Sequence, residues 1–394
     1  MPRVNSSLSR SILAFVIAIS VFARGDIVQA QANASASLPS AEDAPIALLV
    51  DISSGQTLHS RGAARRFIPA SITKTMTIFL AFELIEEGRL DPRQVVTVNP
   101  ESWREWSMKG STMFLPADAR VTVGDLIFGI ANVSANDGSI ALAEAYSGTV
   151  EGWTAEMNAK AREIGMTDSN FATPNGWPDE GRTFTTAADL AKLAEAMIRR
   201  HPEKFARYVG RPEFTYNGIT QRNHDPLLGR VRGADGIKTG YTNESGYGFL
   251  GTVQRGPQRL VLVVAGSPRG SLRARAARQY AEWGFAAFDQ TLLFGADNVI
   301  GRVQVQGGST RRLEVIAGRE VFLNVPTGQT ANPQIRIVYD GPLRAPINAG
   351  DRVAILEIEM AGMDTARIPL RARYDVEGAG LFARILNGIA GWFA

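Results

Sequence analysis

Three short strings carry residue types that can transfer an acyl group without histidine: Ser71-Ile72-Thr73-Lys74, Ser134-Ala135-Asn136 and Lys238-Thr239-Gly240. A serine hydroxyl is a weak nucleophile at neutral pH and needs a neighbouring base. Residues three apart share a helix face, so Ser71 and Lys74 would meet there. Lys74 can act as the base if burial or a second cation depresses its pKa, and Lys238 is an available cation. Free N–H groups at the start of that helix would stabilise developing negative charge. Ser134 would place a hydroxyl between the two lysines, and Asn136 an amide toward the substrate backbone. Lys238 and Thr239 would face a substrate carboxylate. Gly240 would let a ligand backbone come close, and an edge strand there would pair with an extended peptide. Taken singly, each string is ordinary: a helix cap with a surface lysine, a polar turn, a Gly-bounded strand. Their joint occurrence in this order carries the reading.

The elements around these strings can be placed from periodicity and turn residues. Pro69-Ala70 leads into Ser71 and an apolar periodic stretch, which predicts a helix over 71–87 with Ser71 in its first turn. Further helices are expected at 123–130, 140–146, 151–164, 186–199 and 271–285. Residues 46–51 read as a buried strand that turns at 51–56. Segments 246–254 and 259–266, split by Gly256-Pro257, read as a hairpin beside the Lys238 strand. After Gln290 the helical signal stops. Runs at 301–306, 311–317, 320–325, 334–339, 352–360 and 364–371 predict a small all-β domain.

Composition narrows the classes. A chain of 394 residues has room for two cores, and 21% charged residues with 45% hydrophobic ones is ordinary for a globular protein. There is no cysteine, which excludes disulfides, thiol catalysis and Cys-ligated zinc. His59, His201 and His224 are dispersed, so no His-based metal site is expected.

Both ends carry membrane-related patterns. Arg3 and Arg10 precede an apolar run from Ile12 to Ala23, and Ala30-Gln31-Ala32 offers a small-x-small cleavage site. This reads as a secretory signal over 1–32, since a bilayer span needs about 20 apolar residues. Its removal takes three arginines and one aspartate, leaving +1 of the net charge of +3. The basic balance is therefore partly targeting, and no nucleic-acid partner is expected. At the other end, Leu381, Phe382, Ile385, Leu386, Ile389, Trp392 and Phe393 fall within a helical arc of about 140°. Residues 377–394 are expected to form a hinge and an amphipathic helix lying on a membrane surface through 381–394.

The three strings together resemble those of the penicillin-binding proteins and serine β-lactamases. More narrowly, the chain resembles the low-molecular-mass penicillin-binding proteins, the serine-type D-alanyl-D-alanine carboxypeptidase family. The likeness extends to Phe67–Lys74, to the stretch from Gly165 to Gly176, to Asp235–Gly240 and to Pro342–Ile347. It implies an α/β (α+β) penicillin-binding catalytic domain over 33–290, a small β-rich domain over 291–376, and the terminal amphipathic helix.

The resemblance further implies that Ser71 is acylated, that Lys74 is the general base, and that Ser134, Asn136 and Lys238 relay protons and hold substrate. It implies an oxyanion hole from the N–H groups of Ser71 and Tyr241, with Thr239 on the terminal carboxylate. Arg273, with Arg269 and Arg275 nearby in sequence, falls where the family has a carboxylate-binding arginine. Many relatives have histidine after K-T-G where this chain has Tyr241, which leaves pH dependence and deacylation open. The implied substrate is a peptidoglycan stem pentapeptide, with β-lactams as covalent inhibitors, and the implied reaction requires no metal or organic cofactor. The implied location is the periplasm, peripherally attached to the outer face of the cytoplasmic membrane. Alternatives are a D,D-endopeptidase that cuts cross-links and a catalytically silent wall scaffold. A class A β-lactamase would carry E-x-x-L-N between S-x-N and K-T-G, and this chain does not.

Overall fold

The computed structural model describes residues 38–379. The expected signal over 1–32 and the amphipathic helix over 381–394 lie outside the described residues. Among the described residues, no helix is long and apolar enough to cross a membrane.

Among the described residues, nine strands belong to the first domain: β1 Ile46–Asp51, β2 Gln56–Arg61, β3 Val95–Thr97, β4 Arg120–Thr122, β5 Glu213–Tyr216, β6 Ile219–Arg222, β7 Ala234–Thr242, β8 Gly246–Arg255 and β9 Gln258–Ser267. Eight α-helices accompany them: α1 Lys74–Glu86, α2 Pro100–Trp106, α3 Val123–Val133, α4 Asn136–Ser147, α5 Val150–Glu163, α6 Ala187–Arg200, α7 Pro202–Tyr208 and α8 Gly270–Ala286. The main sheet is antiparallel with order β2-β1-β9-β8-β7, which leaves β7 and its Lys238-Thr239-Gly240 string on an edge. Side chains alternate across a strand, so a sheet covered on both sides needs apolar residues at every position. β9 supplies them: Val261 and Val263 join the core containing α1, α3 and α6, while Leu262 and Val264 pack with Ala277 and Tyr280 of α8.

The second domain follows α8 without a break. It comprises β10 Phe288–Phe294, β11 Gly301–Gln306, β12 Arg312–Ile316, β13 Val321–Pro326, β14 Gln334–Val338, β15 Leu343–Arg344, β16 Arg352–Glu359 and β17 Ala366–Ala372. Six strands form one sheet, β14-β16-β17-β12-β11-β15, and β10 pairs with β13. Residue 290, where the sequence changes character, falls inside β10. Phe288 packs on the first domain's core, and Leu293 and Phe294 on the second's.

Some elements escape sequence periodicity. Helices α2 and α7 are seven residues each, too short to show a repeat, although each starts on a proline at its first turn. The expected helix over 71–87 is in fact a 3-10 turn, Ala70–Thr73, followed by α1. Ser71 therefore sits in a tight turn that packs against β7, ahead of the α-helix. Ala70, at φ 50°, makes the break.

Candidate active site

The nucleophile turn, the α3–α4 link, the segment 175–178 and β7 together enclose a cavity of about 510 Å³. Ser71, Ser134, Asn136, Thr239, Gly240, Tyr241 and Arg273 all line it. Lys74 and Lys238 stand behind this lining, at 0% and 4% exposure. Arg269 stands at the N-terminal boundary of α8 and Arg275 is held by Asp43; Arg273 is the one of the three that lines the cavity.

Local sequence explains each placement. Thr122 caps α3 by accepting the Asp125 N–H. That helix ends at Ser134, whose φ of 64° reverses the chain so that α4 begins two residues later at Asn136. A left-handed non-glycine residue costs free energy and persists only where its surroundings fix it. Here the fixing comes from Asp137, whose buried carboxylate accepts N–H groups of Met113, Leu115 and Gly138. The Asn136 amide nitrogen donates to the Lys109 carbonyl at 2.8 Å. This bond fixes the orientation of the Asn136 amide at the cavity wall.

Lys74 Nζ donates to Ser71 Oγ at 3.0 Å and to the Asn175 carbonyl at 2.7 Å. Burial pushes the Lys74 pKa well below the usual lysine range. The Lys238 charge pushes it further, and Asp137 pulls the other way. Burial and then the Arg273 guanidinium bring Lys238 down to about 7, against the pull of Asp225. A neutral amine beside a serine hydroxyl is a general base.

The sequence strings did not reveal several residues of this site. Asn175 supplies the carbonyl that orients Lys74, and Gly176 closes on the nucleophile turn. An added Cβ at Gly176 would stand 1.8 Å from the Ala70 carbonyl oxygen. His224, Trp177 and Tyr247 also line the cavity. Asp225 is buried; its Oδ1 accepts the N–H groups of Leu227 and Leu228, while Oδ2 has no hydrogen-bond partner. Burial lifts Asp225 to about 6, opposed by those N–H groups and by the charges of Arg273 and Lys238. The stretch from Gly165 to Gly176 was visible as a likeness, but nothing in it signalled a carbonyl aimed at a lysine.

A serine activated by a buried lysine, beside an edge strand carrying Lys-Thr-Gly, defines a serine acyl-transfer hydrolase. The family model for D-alanyl-D-alanine carboxypeptidase matches residues 31–269, and that for the penicillin-binding protein 5 C-terminal domain matches 288–378. The chain belongs to the D-alanyl-D-alanine carboxypeptidase family and is a serine-type peptidase. It is 31% identical over 341 residues to D-alanyl-D-alanine carboxypeptidase DacA of Haemophilus influenzae, covering 86% of each chain. Penicillin-binding protein 5 from the same organism superposes with a TM-score of 0.73 at 30% identity, covering 86% of this chain and 99% of that one. Penicillin-binding protein D2 of Listeria monocytogenes, solved with ampicillin bound, gives 0.56 at 28% identity over 62% of this chain and 97% of that one.

Proposed function

We propose that this protein removes the terminal D-alanine from peptidoglycan stem peptides ending in D-Ala-D-Ala. The observation that carries the reading is the 3.0 Å contact between Ser71 Oγ and the buried Lys74 nitrogen, at the wall of a cavity shared with β7. The stem peptide lies along the open edge of β7, where backbone groups are free to pair with an added strand. Thr239, Lys238 and Arg273 hold its terminal carboxylate. Neutral Lys74 takes the Ser71 proton as Oγ attacks the carbonyl carbon of the penultimate residue. Backbone N–H groups of Ser71 and Tyr241 stabilise the oxyanion. The peptide bond breaks, D-alanine leaves with a proton on its amine, and water hydrolyses the Ser71 ester. A β-lactam acylates the same oxygen.

The proposed location rests on sequence features. The basic and apolar residues of 1–32 support export to the periplasm. The apolar face of 381–394 supports attachment to the outer face of the cytoplasmic membrane by burial of apolar area.

The test is free D-alanine release from a stem pentapeptide, with labelling by a fluorescent penicillin in parallel and Ser71→Ala as control. Release and labelling, both lost in the control, support the carboxypeptidase. Labelling without release rejects it while keeping the nucleophile, and absence of both rejects the site.

A further inference from the structure

A second cleft, of about 710 Å³, opens between the two domains. It reaches Val50 on β1 and Gly55 in the β1–β2 turn, at the opposite edge of the main sheet from β7 and Ser71. Seven lysines and arginines line it against two glutamates, in a chain whose total net charge is +3.

These cations are set against one another. Arg352 on β16 lies directly opposite Arg371 on β17. Like charges in that position destabilise a sheet. Arg367 lies two pairs of positions before Arg371 on the same face of β17, about 13 Å away along the strand. Across the cleft, Arg199 of α6 donates to the Ile52 carbonyl, and Arg319 donates to that of Ser53. Burial and the facing Arg199 bring the Arg319 pKa down to about 10, although Glu195 and Asp51 oppose the shift. Some of the charge is answered locally: Arg199 by Glu195, Arg200 by Glu163 and Arg367 by Glu357. Among the described residues, Arg319, Arg352 and Arg371 have no salt-bridge partner.

An anion laid along the cleft would convert each of these repulsions into a charge-assisted pair. A guanidinium fork fits a planar carboxylate. A single small anion would meet only part of a set spread over about 13 Å along one strand. We propose that the cleft binds an extended polycarboxylate: a second stretch of the wall polymer, recognised through the free carboxylates of its stem peptides. This rests on the substrate reading given above. Held there, the polymer would present its stem ends to Ser71 at raised local concentration.

The test uses the full-length chain, its Ser71 blocked with penicillin, binding to soluble wall strands of many repeats. The combined variant Arg319→Gln, Arg352→Gln, Arg371→Gln should bind about tenfold more weakly, with a flatter salt dependence. Unblocked, it should still turn over a short pentapeptide at the wild-type rate, which shows that the fold and Ser71 are intact. Strands whose carboxylates have been converted to amides should lose the same factor with the wild-type chain. If the combined variant loses pentapeptide turnover, Arg352→Gln alone replaces it, with an expected loss of about threefold. Equal binding by variant and wild type, or equal binding of native and amidated strands, overturns the proposal. Because binding is measured with Ser71 blocked, a wild-type chain that fails to release D-alanine counts against the carboxypeptidase reading and leaves this comparison intact.

Discussion

The Lys74 nitrogen stands 3.0 Å from the Ser71 hydroxyl oxygen, and its partner cation Lys238 is buried in the same wall. Neutral Lys74 is the base, so acylation is slow where the lysine is protonated and rises as pH passes upward through its pKa. Lys238 helps to hold that pKa down, second to burial. Lys238→Gln should therefore let the Lys74 pKa climb and move the acid limb of the acylation profile to higher pH by roughly one unit, a change of about 1.4 kcal/mol. Initial rates of labelling by a fluorescent penicillin across pH locate the limb. A lower rate with an unmoved limb would show that Lys238 only binds substrate.

Asp225 acts through Lys238 and Arg273. Its carboxylate raises the pKa of both against the burial that lowers them. In Asp225→Asn, Lys238 loses that support, less of it is charged at neutral pH, and the terminal carboxylate is held less well. KM for the pentapeptide should rise about tenfold while kcat falls much less, the pattern of lost uniform binding. The Asp225 pKa is about 6. Below that pH the wild-type carboxyl becomes neutral, so the KM difference should narrow as pH falls. A difference that stays constant from pH 5 to 8 would assign Asp225 a purely structural role.

The chemistry of this chain was more legible in sequence than its scaffolding. Ser71, Lys74 and Lys238 were visible because few folds need serine, lysine and Lys-Thr-Gly in that order, and β7 could be placed by the Gly256-Pro257 hairpin beside it. The 3-10 turn at Ser71 was not visible, because it depends on Ala70 holding φ 50° against Gly176, a contact between residues more than a hundred positions apart. Asn175 and Asp225 were hidden for a related reason. One acts through its backbone carbonyl and the other through burial, and neither leaves a mark in spacing. The strand β10 bridges both cores, so the change in composition near 290 marked a transition in pattern rather than a linker.

Gly176 offers a direct test of that remote contact. It has φ +71°, and a Cβ there would meet the Ala70 carbonyl oxygen at 1.8 Å and Thr73 Oγ1 at 2.8 Å. Gly176→Ala should displace the turn that presents Ser71 and slow acylation about a hundredfold. Gly165→Ala is the control. It has a similar φ of +80° but nothing within 4 Å of its Cβ. It should cost about 1 kcal/mol of stability and leave acylation unchanged. Equal acylation rates in the two variants would remove the Gly176–Ala70 contact from the account of the site.

The domain joint rests on Asn324 and Asp51, both fully buried. Asn324 Nδ2 donates to Asp51 Oδ2 at 2.6 Å and to Ser54 Oγ at 2.8 Å. Its backbone exchanges hydrogen bonds with the Gln56 side chain at 2.6 and 3.1 Å. Gln290 of β10 reaches the same Asp51 oxygen at 3.0 Å. Asn324→Leu removes a donor from a buried carboxylate and keeps the backbone pair, so it should cost about 2–3 kcal/mol. That loss falls on the coupling between domains, because each retains its own core. Urea unfolding followed by tryptophan fluorescence and by far-ultraviolet circular dichroism should give coincident curves for the wild type. For the variant, the circular dichroism curve should begin to fall first, because the Trp residues of the described chain all lie in the first domain. Pentapeptide turnover without urea should be unchanged, since Ser71 packs at the far edge of the sheet. Coincident, unshifted curves in the variant would mean that the joint contributes little and that packing of Phe288 and its neighbours holds the domains together.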